Sequence, residues 1–291
     1  MTEKNIVYPV KKFEIENFFS DSRIWNDFQF RQDDIIINTY PKAGTTWMQQ
    51  IVCQLIFNGQ EDVNIPRVSP WLESRLSAKR FGSEAQLLQA LEEQTHRRFI
   101  KSHLTLDAQV FSPKAKYIFV ARDGRDVACS LYNHLANLIV EGHVPPKSVQ
   151  EIFNDRILGK SETSFFQHIR SWWNIRHLPN VLFVHFCQLK KNLSSEIKRV
   201  AKFLEMDTGA LNWDAILEHC SFGYMKGRAV NFIDNKYFVG GAETFFCRGT
   251  NNRWVNVLTQ EESDMYEARA IEDLGAEGAR WLATGELPVE N

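Results

Sequence analysis

Apolar residues in this chain form short unbroken runs that alternate with longer stretches of helical spacing. Four runs predict strands because they are short, rich in β-branched or aromatic residues and bounded by polar or turn residues. They cover residues 34–40, 98–102, 116–121 and 181–185. Helical spacing predicts helices at residues 47–56, 84–95, 125–139, 163–178, 188–205, 209–219 and 260–274. Residues 60–83 and 225–257 show neither pattern and are expected to be irregular.

Strands and helices that alternate along a chain, with strands apolar throughout, are typical of a parallel sheet covered on both faces. No internal repeat, low-complexity tract or linker is apparent in the 291 residues. We therefore predict an α/β fold in which residues 1–291 form a single domain. Its central, mainly parallel β-sheet is flanked by helices, and residues 1–30 are an N-terminal extension.

Composition indicates which kinds of partner the protein binds and in which compartment it is expected. The chain is 44% hydrophobic and 24% charged, as in ordinary globular proteins, and its net charge of −2 gives no basic field for nucleic acid. No apolar run approaches the ~18 residues of a membrane-spanning helix, and the N-terminus lacks an apolar signal core. The five cysteines are scattered and odd in number, which indicates reduced thiols. We expect a cytoplasmic protein that binds neither nucleic acid nor membrane.

The segment Tyr40-Pro41-Lys42-Ala43-Gly44-Thr45-Thr46-Trp47 lies between the first predicted strand and a helix. Such an arrangement presents free backbone N–H groups and the positive end of a helix to an anion. Lys42 adds a charge, and Thr45 and Thr46 add hydroxyls. The order differs from the nucleoside triphosphatase loop G-x-x-x-x-G-K-[ST], because the first glycine is missing and the lysine precedes Gly44. We predict a P-loop-like phosphate-binding loop, and an ordinary turn capped by threonine is the alternative.

Further motifs follow this loop in a fixed order. They read FIKSHL at residues 99–104, VARDGRDVACS at 120–130, SFFQHIRSWW at 164–173 and RGTNNRW at 248–254. Together with the loop, they resemble the motifs of the cytosolic-type sulfotransferases over about residues 30–260. That family uses 3′-phosphoadenosine 5′-phosphosulfate (PAPS) as its sulfuryl donor. The resemblance implies sulfuryl transfer to a hydroxyl or amine of a small-molecule acceptor by in-line displacement.

The resemblance also assigns roles to individual residues. His103 is implied as the general base, and Lys42 and Lys101 as the groups that steady the leaving phosphate and the sulfuryl oxygens. Without the family, a single histidine beside a short strand is more often structural. Alternation along a strand places Lys101 and His103 on one face. The implied PAPS-binding residues are Lys42, Ala43, Gly44, Thr45, Thr46, Trp47, Arg122, Ser130, Phe222, Arg248 and Gly249. No residue pattern indicates a metal, and none is expected to be required.

Three positions depart from the family pattern. Cys247 stands where the first arginine of the family's R-K-G helps to hold the 3′-phosphate, and Arg253 is a candidate to compensate. Phe186 replaces a tyrosine after the last predicted strand. The short dimer motif of the family is not intact around Thr259, so we expect a monomer or a weak homodimer.

The sequence contains no motif that indicates which acceptor is used. Residues 60–98 and 225–257 are predicted to form its pocket and lid, with Trp71, Phe81 and Phe238 as candidate lining residues. Two other functions stay open at this point. One is a non-catalytic module that binds PAPS or another nucleotide. The other is a P-loop small-molecule kinase, which would need Mg²⁺ carboxylates that we do not recognise.

Overall fold

The computed structural model describes residues 6–286, and its centre is a four-stranded sheet. The strands are β1 (Ile35–Thr39), β2 (Phe99–Ser102), β3 (Lys116–Ala121) and β4 (Val181–His185). They run parallel in the order β2-β1-β3-β4, so that β1 pairs with both β2 and β3. The predicted α/β domain with a parallel sheet is confirmed.

Helices surround this sheet. The α-helices of the described part are α1 (Ile24–Asp27), α2 (Thr45–Ile56), α3 (Ile65–Val68), α4 (Arg75–Phe81), α5 (Glu84–Glu92), α6 (Gly124–Ala136), α7 (Val149–Ile152), α8 (Phe165–Trp173), α9 (Phe186–Lys191), α10 (Leu193–Phe203), α11 (Trp213–His219), α12 (Phe222–Gly227) and α13 (Gln260–Thr284). Short 3₁₀ turns occupy Leu106–Ala108, Thr208–Ala210, Ala229–Asn231, Asn235–Tyr237 and Ala242–Phe245, and a π turn occupies Phe153–Ile157.

Several predicted elements were wrong in extent. Residues 60–83 are not irregular throughout, because they contain α3 and α4, which are too short to show a helical period. The helix predicted at 188–205 is two helices, since Asn192 ends α9 and its side chain caps α10 by accepting the N–H of Ser195. The last helix extends to Thr284, with a break at Gly275, where φ is +69°.

Both faces of the sheet are buried, which explains why its strands are apolar throughout. Successive side chains of a strand point to opposite faces. Ile36, Tyr117 and Phe119 therefore join one hydrophobic cluster, while Ile35 and Ile118 join the other. Each fully buried side chain of this size stabilises the fold by roughly 1.5–3 kcal/mol.

The carboxyl ends of all four strands meet at one edge of the sheet. This is the edge at which open parallel sheets bind ligands. The described part of the predicted N-terminal extension packs against this domain, because Trp25 is fully buried in the core and its indole N–H donates to Glu73 at 2.9 Å.

Candidate active site

The predicted phosphate loop turns sharply between β1 and α2. Lys42 and Gly44 have φ values of +70° and +119°, and Gly44 directly precedes the helix. A Cβ atom at Gly44 would lie 3.1 Å from the Phe186 ring and 3.4 Å from the Val120 side chain, so glycine is required there. No side chain caps α2. Its first N–H groups are therefore free to bind an anion.

Lys42 is held among groups that do not neutralise it. Its ammonium lies 3.9 Å from the centre of the Phe245 ring and donates to Nδ1 of His134 at 3.4 Å. Burial, followed by the charges of Lys101 and Arg122, lowers the pKa of Lys42 to about 7. Burial, followed by the charge of Lys42, also lowers the pKa of His134 well below 6.5. Burial therefore makes the charged form of Lys42 energetically unfavourable in this loop, and a bound anion would stabilise that form.

Hydrogen bonding fixes which nitrogen of His103 is basic. Nδ1 lies 2.7 Å from the backbone carbonyl oxygen of Thr39, and because that oxygen can only accept, Nδ1 must carry the proton. Nε2 is then the unprotonated nitrogen. Burial, with the charge of Lys101 as the next cause, lowers the pKa of His103 well below 6.5 and favours this neutral form.

The buried carboxylate of Glu73 accepts a hydrogen bond from the backbone of His103. One oxygen of Glu73 accepts the backbone N–H of His103 at 2.7 Å, the indole N–H of Trp71 at 2.6 Å and the hydroxyl of Ser102 at 3.2 Å. Burial raises the pKa of Glu73, and these hydrogen bonds oppose that shift. Nothing in the sequence pattern had singled out Glu73. Glu73 therefore fixes the positions of His103 and of the Trp71 ring relative to each other.

Lys101 lies on β2, two residues before His103. Its ammonium is 4.9 Å from the centre of the Trp71 ring. Burial lowers the pKa of Lys101 to about 8, and the charge of Glu73 opposes this shift. The backbone of Lys101 also exchanges hydrogen bonds with the loop before α4, donating to Pro70 at 3.0 Å and accepting from Leu72 at 3.1 Å.

Arg122 ends β3 and is 5% exposed. It donates to the carbonyl of Thr250 at 2.6 Å, and its guanidinium lies 4.2 Å from the centre of the Phe186 ring. Within residues 6–286 its Nε has no hydrogen-bond partner. A buried guanidinium N–H without a partner is costly unless a ligand accepts it. Ser130 follows on α6 and lines the same cleft.

Two aromatic rings lie on the other side of the loop. Trp47 donates its indole N–H to the carbonyl of Cys220 at 2.8 Å and meets the Phe186 ring edge-on at 5.5 Å. Phe222 begins α12 and presses against Gly249, where a Cβ atom would lie 2.6 Å from the ring. Gly249, with φ of +61°, is therefore fixed by packing as well as by backbone conformation.

Arg125 and Asp126 are buried residues with structural hydrogen bonds. Arg125 bonds to Asp123 at 2.7 Å, Ser263 at 2.7 Å and Glu267 at 2.8 Å. Asp126 holds the loop that contains Arg253, as described further below.

Most of these residues line one cleft with a volume of about 550 Å³, whereas Glu73, Arg125 and Asp126 lie outside its lining. Of the site residues predicted from sequence, Ala43 alone does not line it, because it is fully buried beneath the loop. The arrangement can hold an anionic ligand beside a neutral imidazole and two cations.

Residues 32–275 match the family model of the sulfotransferase domain. The chain belongs to the sulfotransferase family. Sulfotransferase 1A1 of Rattus norvegicus is 31% identical over 250 residues, which are 81% of this chain and 82% of the relative. Sulfotransferase 1E1 of Homo sapiens is 31% identical over 252 residues, which are 82% of this chain and 83% of the relative.

A solved structure supports the same fold. The crystal structure of a mouse sulfotransferase complexed with PAP covers 89% of this chain and 90% of its own, with a TM-score of 0.69 and 23% identity. Within residues 6–286, no helix of this sulfotransferase is long and apolar enough to cross a bilayer. All five of its cysteines are free thiols.

The sulfotransferase cleft also includes residues of the two segments predicted as pocket and lid, Trp71 among them. Its walls include Trp71, Leu76 and Arg80 from residues 60–98, and Tyr237 and Phe245 from residues 225–257. Phe81 and Phe238 are not among the lining residues.

A third wall comes from residues 131–156, which the sequence did not predict. His134 belongs to it, four residues after Ser130 on α6. Residues i and i+4 of a helix share a face, and that spacing is the signal that could have revealed His134.

Proposed function

We propose that this sulfotransferase uses His103 as the general base for sulfuryl transfer to a hydroxyl or amine of a small molecule. The sulfuryl donor is PAPS. The observation that carries the assignment of His103 is its hydrogen bond to the Thr39 carbonyl, which leaves Nε2 as the basic nitrogen beside Lys42 and Lys101. The sulfotransferase family fixes the reaction class, and the geometry supports the residue roles.

The residues present fit the two anionic ends of PAPS. The uncapped N-terminus of α2 with Lys42, Thr45 and Thr46 would hold the 5′-phosphosulfate. Arg122, whose Nε is buried without a partner in the described part of the chain, would hold the 3′-phosphate. Ser130, Arg248 and Gly249 lie along the same side of the cleft, and Trp47 and Phe222 offer faces for the adenine.

When bound, PAPS supplies a sulfuryl group that passes to the acceptor atom by in-line displacement and leaves adenosine 3′,5′-bisphosphate (PAP). Nε2 of His103 takes the proton of the acceptor, so the attacking atom becomes more nucleophilic. Lys42 and Lys101 offset the charge that develops on the leaving phosphate. An anion beside them raises the pKa of both lysines, so they are protonated when they are needed.

The acceptor is a small molecule whose apolar body fits against the apolar walls of the cleft. Trp71, Leu76 and Phe245 supply aromatic and aliphatic surface there, from the two segments predicted as pocket and lid. The proposal requires no metal. A cytoplasmic location and a monomeric or weakly dimeric state remain predictions.

The first test compares the wild type with His103→Ala. We expect kcat to fall roughly 10²- to 10⁴-fold, because general-base assistance is lost, while the Kd for PAP changes less than twofold. A pool of phenols, alcohols and amines is incubated with PAPS, and sulfated products are counted by mass spectrometry. His96→Ala, which replaces a histidine outside the cleft, is the matched control.

Each alternative function has its own outcome in this test. Sulfated product at the wild-type rate from His103→Ala would overturn the assignment of the base. PAP binding without turnover on the whole pool would favour a binding module, and turnover with ATP and Mg²⁺ but not with PAPS would favour a kinase. Because the pKa of His103 is lowered in the ligand-free protein, the acidic limb of the kcat/KM profile should lie below pH 6.5.

A further inference from the structure

Arg253 occupies an unusual place in the loop that follows Cys247. Both residues line the cleft, as do Arg122 and Ser130. The side chain of Cys247 carries no positive charge and cannot bind a phosphate as the arginine of the family pattern does. The cleft would therefore be one cation short at this end unless another residue supplies it.

Buried hydrogen bonds hold the backbone of Arg253 in position. The two carboxylate oxygens of Asp126 accept the N–H groups of Arg253 at 2.7 Å and Asn252 at 3.0 Å. The same carboxylate lies 3.6 Å from the guanidinium of Arg122, which itself donates to the carbonyl of Thr250 at 2.6 Å. The loop is thus fastened both to α6 and to Arg122.

The side chain of Arg253 lacks a partner of its own in the described part of the chain. It is half-buried, yet no ion pair and no hydrogen bond of its guanidinium is found within residues 6–286. Arg125, by contrast, has three side-chain partners. A half-buried guanidinium without a partner, in a cleft that binds anions, indicates a ligand.

The charge of Arg253 acts on the neighbouring cations. Burial is the first cause that lowers the pKa of Arg122, and the charges of nearby groups, Arg253 among them, modify it. Arg253 also contributes to the lowered pKa of Lys42, after burial, Lys101 and Arg122. These effects agree with a guanidinium that points toward the cleft. An anion bound there would relieve the repulsion.

We propose that Arg253, together with Arg122, binds the 3′-phosphate of the sulfuryl donor and so replaces the cation that is missing at Cys247. The proposal rests on the proposed function, because it assumes that PAPS binds with its 3′-phosphate near Arg122. Guanidinium groups form paired, charge-assisted hydrogen bonds with phosphate oxygens. Two of them on separate elements would enclose the phosphate between α6 and the loop.

The experiment compares PAP with adenosine 5′-phosphate (AMP), which differs from PAP only in lacking the 3′-phosphate. In Arg253→Gln we expect the affinity for PAP to fall about ten- to hundredfold. The affinity for AMP should change less than twofold, because AMP has no group for Arg253 to bind. Calorimetry at constant ionic strength measures both. Arg280→Gln, which removes an equal charge from an exposed position outside the cleft, is the control.

A compensating substitution tests the role of Cys247. We expect Cys247→Arg to restore most of the PAP affinity in the Arg253→Gln background. In the wild type the same change should improve it less than threefold, since the phosphate already has its second cation. This non-additivity would show that the two positions serve one phosphate.

Three outcomes would overturn the proposal. They are unchanged PAP affinity in Arg253→Gln, an equal loss of PAP and AMP affinity, and no rescue by Cys247→Arg. If Arg253→Gln does not fold, Arg253→Lys keeps the charge without the fork and should lose PAP affinity selectively. Failure of the wild type to bind PAP at all would contradict the proposed function instead.

Discussion

At the scale of single residues, the site is organised around buried cations whose desolvation is at most partly offset by nearby carboxylates. Lys42 and Lys101 have pKa values lowered to about 7 and about 8, and burial is the first cause of both shifts. Arg122 has a buried N–H without a partner in the described part of the chain. Burial of these charged groups lowers the stability of the folded protein, but it leaves them available to bind an anion. Such a trade-off between stability and function is common at functional sites.

This cost predicts that Lys42→Met stabilises the ligand-free protein. Below about pH 7, Lys42 is protonated in both the folded and unfolded states, and its burial penalty is complete. The penalty falls as the pH rises from about 7 toward 10.5, because the folded state releases the proton first. We expect a gain of about 1–2 kcal/mol at pH 6, or roughly 2–4 °C in Tm.

Thermal melts at pH 6 and pH 9 measure this effect, with Lys79→Met on the exposed surface of α4 as the control. The gain should be smaller at pH 9, and PAP should shift the Tm of the variant less than that of the wild type. A lower Tm for Lys42→Met at pH 6 would contradict the interpretation.

Sequence reasoning was effective for residues that lie in motifs resembling those of the sulfotransferase family. Lys42, Lys101, His103 and Arg122 were each predicted, and the structure brings them into one cleft. Glu73 was missed. It lies in a segment without periodicity, and its role depends on contacts with Trp25, 48 positions away in the chain.

At the scale of elements, the loop between α3 and α4 extends the sheet beside β2. Pro70 and Leu72 exchange backbone hydrogen bonds with Lys101, and Glu73 then turns inward beneath His103. The loop between α3 and α4, which contributes Trp71 to the cleft, is therefore joined by hydrogen bonds to the end of β2 and to His103. The helices around this loop are short, and short helices are stabilised by tertiary packing more than by local preference. That is why the sequence predicted an irregular segment here.

Glu73→Gln should disturb this unit without removing much volume. One oxygen of Glu73 accepts three hydrogen bonds, and the other accepts the indole N–H of Trp25. An amide NH₂ must meet either the N–H groups of His103 and Trp71 or that of Trp25, and an N–H group cannot accept a hydrogen bond from it. We expect a loss of about 1–3 kcal/mol in unfolding free energy, measured by urea denaturation.

The same variant has a kinetic signature that simple destabilisation lacks. Burial lowers the pKa of Lys101, and the charge of Glu73 opposes that shift, so loss of this charge should lower the pKa further. The basic limb of the kcat profile should therefore move to lower pH. Glu93→Gln, on an exposed position, is the control, and an unmoved limb would argue against coupling between Glu73 and Lys101.

At the scale of the whole molecule, a weakly acidic protein contains a local cluster of positive charge. The net charge is −2, yet Lys42, Lys101, Arg122 and Arg253 all line one cleft. Attraction of the sulfuryl donor therefore depends on local geometry. The sequence total excluded nucleic acid as an expected partner but said nothing about this local field.

PAP should stabilise the protein in a salt-dependent way. At a concentration of 100 times its Kd, PAP adds about 2.7 kcal/mol, or roughly 4–5 °C in Tm. Raising the ionic strength from about 0.05 to 0.5 M should weaken binding and shrink the shift at a fixed PAP concentration, because the contacts are charge pairs. Differential scanning fluorimetry measures the shift, with neutral adenosine as the control. An equal shift at both salt concentrations would contradict a charge-based site.

The strand order of the sheet also has a consequence for how the chain is made. β1 pairs with β2 and β3, which lie roughly 60 and 80 residues later in the sequence. At a synthesis rate of about 5–20 residues per second, the apolar β1 waits roughly 4 to 16 seconds for its second partner. Pairing so distant in sequence also closes slowly. The strand that leads into the phosphate loop is therefore the part of the growing chain that most needs protection from aggregation.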